Sequence, residues 1–230
     1  MKLSIIIPVF NEAQTIEELL AKVQNADLGV EKEIIIVDDC STDGTREILE
    51  KYRDKYIVLR HEKNHGKGKA IRTGLANASG DWVVIQDADL EYDPNDLKLL
   101  VGKAKEVQVK VVYGSRRLHH SYFKRRHSGH IFALGGIFLT WVTNLLYGIK
   151  ITDEPTCYKM FKTELLKSIN LECQRFEFCP EVTAKVAKRK IPIYEVPISY
   201  SPRHKNEGKK IGWRDAFKAV VTLLKYRFKK

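Results

Sequence analysis

The chain has no CxxC pair. Its four cysteines, Cys40, Cys157, Cys173 and Cys179, stand at spacings that match no zinc finger or ribbon, so a structural zinc site is excluded and reduced thiols are expected. Also missing are a GxxxxGK[ST] phosphate loop and a complete GxGxxG fingerprint, which argues against P-loop and dinucleotide-binding classes. There is no internal repeat, no low-complexity linker and no nucleic-acid fold signature, so nucleic acid is not an expected partner. The first apolar run is cut by Pro8 and no small-residue cleavage site follows, which is too short for a secretory signal and reads as a buried strand. Long apolar runs are scarce. Only Ile131 to Ile149, between His130 and Lys150, lacks charge over nearly a membrane-spanning length. It contains Gly135, Gly136, Thr140, Thr143, Asn144 and Gly148 and follows Lys124, Arg125 and Arg126. That composition suits a helix in a membrane interface or in the core better than a spanning one.

What the chain has in excess is positive charge. Its 230 residues carry a formal net charge of +11, with 43% hydrophobic and 30% charged residues. A globular domain with a sizeable core is implied, and so is an anionic partner: nucleotide phosphates or an acidic membrane.

The first half alternates strand-like and helix-like patterns. Strands are expected at Leu3 to Val9, Glu33 to Val37, Ile57 to Arg60 and Asp81 to Gln86. Helices are expected at Glu12 to Gln24, after a cap at Ser41 or Thr42, and at Lys67 to Asn77. In the second half, Val109 to Tyr113 and Ile193 to Ile198 read as strands and Glu177 to Arg189 as a helix. The alternation predicts an α/β fold, a mostly parallel sheet with helices on both faces. Ligands of such sheets bind at the carboxyl ends of the strands, which gathers Pro8 to Glu12, Val37 to Asp43 and Asp87 to Glu91.

The chemistry of those segments is specific. Val83 to Ile85 runs into Asp87-Ala88-Asp89-Leu90-Glu91. Two carboxylates at a strand end can hold a divalent cation together with substrate phosphates, the cation neutralising charge on a diphosphate leaving group; a solvated acidic turn accounts for the same residues. In Val37-Asp38-Asp39-Cys40-Ser41-Thr42-Asp43-Gly44-Thr45, Asp39 suits a sugar hydroxyl or a base N–H, while Thr42 or Asp43 suits a helix cap. Phe10 suits a base or ribose face and Glu12 a ribose hydroxyl; a plain strand-exit turn accounts for the same residues. Asn64-His65-Gly66-Lys67-Gly68-Lys69-Ala70 places glycine and lysine at a helix start, favourable for phosphate, although a lysine-rich helix start is an equal reading.

Taken in order, Pro-Val-Phe-Asn-Glu, Val-Asp-Asp-x-Ser-x-Asp-Gly-Thr, Asn-x-Gly-Lys-Gly and Asp-Ala-Asp resemble the family-2 inverting glycosyltransferases of the GT-A, Rossmann-like fold. The resemblance is tight over about the first 120 residues, continues loosely to about residue 211, and is nearest the dolichol- and polyprenyl-phosphate mannosyltransferase group. It implies that Pro8, Phe10, Glu12, Val37, Asp39, Lys67, Asp87 and Ala88 hold the nucleotide-sugar, and that Asp87, Asp89 and Glu91 hold Mg2+ or Mn2+. Gly114-Ser115-Arg116 resembles the group's Gly-Ser-Arg turn, whose arginine grips the acceptor phosphate. Thr152-Asp153-Glu154-Pro155-Thr156-Cys157 resembles the turn after its interfacial helices. Pro202-Arg203 with Gly208-Lys209-Lys210-Ile211 resembles its closing basic loop. Arg116, Arg126, Arg203 and Lys210 are therefore expected at the acceptor phosphate; Arg125 and His130 compete with Arg126 for the second arginine's place.

The expected organisation is a catalytic domain over 1–211, donor half to about 115 and acceptor half 116–211, followed by a basic amphipathic helix at 212–230. On that helix Trp213, Phe217, Val220, Val221, Leu224 and Phe228 share a face, while Arg214, Lys218, Lys225, Arg227, Lys229 and Lys230 supply the charge, which suits a membrane surface or packing on the protein. With no apolar span after it, a peripheral protein on the cytoplasmic face of a membrane is expected. Asp89, Arg116, Asp153 and Arg203 are the expected catalytic residues. A phosphate acceptor is already ionised and needs no base; a hydroxyl of a glycan or glycolipid does, and Asp153 is the candidate. On that view Asp153→Asn spares transfer to a phosphate. A sugar-nucleotide nucleotidyltransferase shares the layout, but Asn11-Glu12 stands where its glycine- and arginine-rich loop belongs.

Overall fold

The computed structural model describes residues 1–119, 130–203 and 213–229. Strand β1 (Lys2–Val9) lies beside β2 (Glu31–Asp38), which lies beside β3 (Ile57–Arg60); β4 (Trp82–Ile85) flanks β1 on its other side. These four are parallel. Ile5, Ile6, Ile7, Ile35, Ile36 and Val84 are all fully buried, because a parallel sheet is covered on both faces and its strands become continuous apolar runs.

The sheet continues as β4-β6-β5-β7. Strand β6 (Lys159–Lys162) runs antiparallel to β4 and to β5 (Val111–Ser115), and β7 (Tyr194–Pro197) is parallel to β5. One sheet thus carries both halves of the chain. The antiparallel β6 departs from the expected alternation. Its inner end is Lys159, whose buried ammonium donates to the Glu154 carbonyl at 2.7 Å and sits 3.9 Å from the Tyr113 ring centroid. A buried lysine hides the strand from any apolar pattern.

Helices α1 (Ile16–Asn25), α2 (Thr45–Glu50), α3 (Lys67–Asn77) and α4 (Leu97–Ala104) belong to the first half. α1 starts four residues later than expected. The Asn11 amide donates to Ser41 Oγ, and Asn11 Oδ1 accepts from the Thr42 amide, so residues 11–15 are tied to the β2 exit instead of entering the helix. Neither Ser41 nor Thr42 caps α2. Asp43 Oδ1 accepts from the Thr45 amide and hydroxyl instead.

α5 (His130–Tyr147), α6 (Thr163–Ser168), α7 (Phe178–Lys188) and α8 (Trp213–Phe228) complete the fold. α5, α7 and α8 share a small core of Leu139, Ala184, Ala219, Leu223 and Tyr226, and Tyr147 Oη donates to the Leu223 carbonyl at 2.6 Å. α8 buries Ala219, Thr222, Leu223 and Tyr226, the side opposite to the expected apolar face. Of that face Phe217, Val221, Leu224 and Phe228 are exposed, Val220 packs against the small core, and the Trp213 side chain lies outside the described residues. α5 likewise turns Leu139, Thr140 and Thr143 inward and leaves Leu134, Ile137, Phe138, Trp141 and Leu145 exposed. Among the described residues no helix is long and apolar enough to cross a membrane.

Candidate functional site

Three strand ends meet as expected, and each turns on a non-glycine residue at positive φ: Asn11 (52°) after β1, Cys40 (66°) after β2 and Leu90 (59°) after β4. Such left-handed conformations are costly for a branched residue such as leucine, and they concentrate where a chain must aim side chains into a site. Leu90 separates Asp89 from Glu91.

After β2, Asp38 and Asp39 divide the work. Asp38 is structural: it accepts from the Ser41 amide and from Arg46 Nε. The buried Asp39 carboxylate accepts from the His65 amide (2.9 Å), the Gly66 amide (2.6 Å) and His61 Nδ1 (2.7 Å), while His61 Nε2 meets Thr73 Oγ1 at 2.9 Å. The expected base-reading carboxylate is thus held in place by the lysine- and glycine-bearing loop. Val37 lies fully buried with Ile35, Ala70 and Ala78, so it fixes the strand end and presents no side chain to a ligand. Ala88 is buried too, and its carbonyl accepts from Thr15 Oγ1 at 2.8 Å. Pro8 and Phe10 are half-buried at the β1 exit.

The glycines of the Gly66-Lys67-Gly68 segment serve packing. A Cβ on Gly66, which has φ +89°, would lie 2.7 Å from Arg175 Cγ and from the Gln174 carbonyl; one on Gly68 would lie 2.6 Å from the Cys173 carbonyl. The chain at 173–175 therefore lies against this loop. Lys67 is the member aimed at the acids: its Nζ is 2.5 Å from Asp87 Oδ1 and 2.8 Å from Oδ2.

Around β4's exit the charge is unbalanced. Burial, reinforced by the charges of Asp87 and Glu91, pushes the Asp89 carboxyl up to about 7. Asp89 Oδ1 accepts from the Glu91 amide. Glu91 is occupied by the protein: Oε2 accepts from Tyr200 Oη and Oε1 from the Arg203 amide, both at 2.9 Å. No group of three acidic, histidine or cysteine side chains converges among the described residues. Of these acids Asp87 and Asp89 are the two that could hold a divalent cation, a number that suits an ion taking its remaining oxygens from phosphate and water.

Arg203 lands beside these acids. It donates through Nε to the Asp89 carbonyl (2.7 Å) and through Nη2 to Glu12 Oε2 (2.9 Å). The segment 199–203 thus straps the β4 exit to the β1 exit. Arg116 faces it through Tyr200, whose ring centroid is 4.8 Å from the guanidinium carbon. Arg116 is locked to Asp153 by Nε (2.7 Å), Nη2 (2.8 Å) and the backbone amide (3.0 Å). Burial raises the Asp153 carboxyl, but the Arg116 charge outweighs it and the net shift is downward. A carboxylate already taking three donors and made less basic is a poor general base. Arg126 and Lys210 lie outside the described residues, as does the rest of the 208–211 motif; so do Arg125 and the His130 side chain.

Several residues unflagged in the sequence build this site. Glu195 accepts from the Thr152 amide and hydroxyl and the Asp153 amide, and Ser115 Oγ meets Thr152 Oγ1 at 2.6 Å. Together they fix the turn that carries Asp153. Tyr200 joins Glu91 to Arg116, and its place two residues before Pro202-Arg203 was the one available signal.

The sequence profile described as Glycosyl transferase family 2 matches residues 4–169. A dolichol-phosphate mannosyltransferase of Pyrococcus furiosus is 29% identical over 216 residues, 91% of this chain and 59% of that protein, so the chain spans under two thirds of its length. A UDP-N-acetylglucosamine–dolichyl-phosphate N-acetylglucosaminyltransferase of Methanococcus voltae is 31% identical over 214 residues, 84% of this chain and 83% of that protein. Glucosyl-3-phosphoglycerate synthase of Mycobacterium tuberculosis, solved with Mn2+ and UDP-glucose, superposes with a TM-score of 0.74 at 20% identity, covering 98% of this chain and 78% of that one. That likeness establishes the fold, the GT-A arrangement of a mostly parallel sheet flanked by helices.

Proposed function

The chain belongs to glycosyl transferase family 2, and from that premise we propose that it moves a sugar from a nucleotide-sugar to the phosphate of a polyprenyl or dolichyl lipid, with inversion at the anomeric carbon. The donor is of the GDP-mannose or UDP-glucose type. The observation that carries this reading is the Arg116–Asp153 pair, one residue beyond Tyr200 from the acidic β4 exit. Asp153 takes the Nε–Nη2 edge of the guanidinium, which leaves the Nη1 donors for an anion. The relatives' printed names, which include two dolichyl-phosphate transferases, support the same acceptor.

In this mechanism Asp39 holds the base, Glu12 the ribose, and Lys67 the diphosphate. Asp87 and Asp89 would hold a divalent cation, Mg2+ or Mn2+, which would offset charge on the departing nucleoside diphosphate. The acceptor phosphate is ionised at neutral pH, so Arg116 orients its oxygen in line with the bond that breaks, and no side chain removes a proton. Arg203 joins the two halves, with Arg126 and Lys210 as further cationic groups for the acceptor phosphate. The catalytic unit is 1–211, and the segment 212–230 meets the membrane. The exposed apolar faces of α5 and α8, with Lys218 and Arg227 beside them, suit a membrane interface on its cytoplasmic side.

A panel of nucleotide-sugars tested against a polyprenyl phosphate and the matching polyprenol decides the matter. The expected result is metal-dependent transfer to the phosphate and none to the alcohol. Transfer to hydroxyl acceptors of glycans or glycolipids, with none to the phosphate, would overturn it.

A further inference from the structure

We propose that Lys67 is a built-in counter-cation for Asp87, and that a divalent metal enters only when a nucleoside diphosphate draws this ammonium away. Metal and diphosphate then bind as one coupled event, with Lys67 as the positioning residue that couples them. The inference rests on the reading of Asp87 and Asp89 as the metal carboxylates and adds an order of binding to it.

Lys67 Nζ lies 2.5 Å from one Asp87 oxygen and 2.8 Å from the other, and 3.2 Å from Cys157 Sγ. Its ammonium stands 6.0 Å from the Phe176 ring centroid, and both ionic side chains are more than four-fifths shielded from solvent. The lysine therefore straddles the carboxylate that a metal has to reach. A dication that reached Asp87 with the ammonium still in place would meet a like charge at contact range inside a poorly screened site. Metal alone is disfavoured on this ground.

The same loop supplies the release. Its amides are largely spent: those of His65 and Gly66 go to Asp39, and those of Lys69 and Ala70 go to carbonyls of Gln174 and Gly66. Packing of the chain at 173–175 against Gly66 and Gly68 holds this backbone still. The stem of Lys67 is the flexible part of the loop, able to follow a ligand while this backbone stays in place. A diphosphate offers the ammonium a doubly charged partner in exchange for one carboxylate. That exchange frees Asp87 for the cation, and the cation and Lys67 then hold opposite sides of the same phosphates.

The test measures Mn2+ binding by the loss of free-ion electron paramagnetic resonance signal, on the full chain, with and without UDP or GDP. For the unaltered chain Mn2+ alone should bind weakly, and the diphosphate should tighten it by at least about tenfold. In Lys67→Met, Mn2+ alone should bind about tenfold tighter than in the unaltered chain, while the gain from the diphosphate falls to about twofold or less. Lys67→Gln, which keeps a polar tip against Asp87 and Cys157, gives the same comparison should the methionine variant fold poorly. Equal Mn2+ affinity in the unaltered chain and in the Lys67 variants, abolished in both by Asp87→Asn, would overturn the inference and leave the metal assignment standing. Mn2+ binding indifferent to Asp87→Asn would overturn the metal assignment and the inference with it.

Discussion

Arg116 and Asp153 meet along one edge of the guanidinium, Nε to Oδ2 at 2.7 Å and Nη2 to Oδ1 at 2.8 Å, with the Arg116 amide adding a third bond to Oδ2. The pair comes from two turns 37 residues apart. It changes what Asp153 does: the aspartate aims the arginine rather than taking a proton.

The consequence is that Asp153→Asn should not spare a phosphate acceptor. An amide pairs with one edge donor at best and leaves a buried arginine unbalanced, a change that costs about 3–5 kcal/mol. Chemical denaturation at pH 7 should report that loss, and the KM for polyprenyl phosphate should rise more than kcat falls. The pH dependence has a definite sign. The Asp153 carboxyl is depressed in the fold, so its contribution is present above the ordinary aspartate range and is lost as pH falls through the lower folded value. The stability gap between the two proteins should therefore be widest near neutrality and close in strong acid. A gap that stays constant down to the acid limit would contradict the pairing.

Arg203 is the strap between the β4 and β1 exits, through the Asp89 carbonyl and Glu12. Replacing it with alanine removes two charge-assisted bonds near the donor site, each worth about 1.5–3 kcal/mol in a shielded setting. The KM for the nucleotide-sugar should rise by about tenfold or more. Isothermal titration with the nucleoside diphosphate checks the same point without turnover; unchanged affinity would assign Arg203 to the acceptor alone.

How far the sequence carried these conclusions differs by segment. The bounds of β3 and α3, Ile57–Arg60 and Lys67–Asn77, were legible outright, because apolar periodicity is a local signal. The meeting of Asp39 with the 65–66 loop was not, and neither was Glu195 beneath Thr152, 43 residues away. Those contacts depend on which strands become neighbours. β6 was hidden because Lys159 and Lys162 bound a four-residue strand, and the partner of the buried Lys159 ammonium, the Glu154 carbonyl, is supplied only by the fold. At Gly66 and Gly68 the structure adds a reason that no local pattern carries: close backbone approach by residues 173–175, beside the phosphate and helix-start readings that the sequence offers.

That cause has its own test. Gly68→Ala would set a Cβ 2.6 Å from the Cys173 carbonyl and 3.0 Å from that of Arg175. Backbone has to yield there, at a cost of about 1–3 kcal/mol for overpacking. Thermal unfolding should show a lowered midpoint, whereas Gly102→Ala, with no neighbour within 4 Å and in a helix interior, should hold or raise it. Equal midpoints for the two variants would return the glycine to phosphate binding.

The outward faces of α5 and α8 permit a cleaner separation of stability from location. Phe138, Trp141, Phe217 and Phe228 are 55%, 59%, 67% and 79% exposed, so replacing all four by serine removes little buried area. Each should cost folding stability about 1.5 kcal/mol at most, Phe228 the least. The inner faces, where Leu139, Leu223 and Tyr226 pack together, are untouched by the change. Co-sedimentation with vesicles containing anionic phospholipid should then fall sharply, while nucleotide binding in solution stays as it was. Salt separates the two contributions: the lysines and arginines act through a screened field, whereas the rings insert regardless of ionic strength. Binding of the unaltered chain should weaken but persist at high salt, and the quadruple variant should release completely. Retention of the serine variant on vesicles would transfer the docking role from these helices to the basic residues alone.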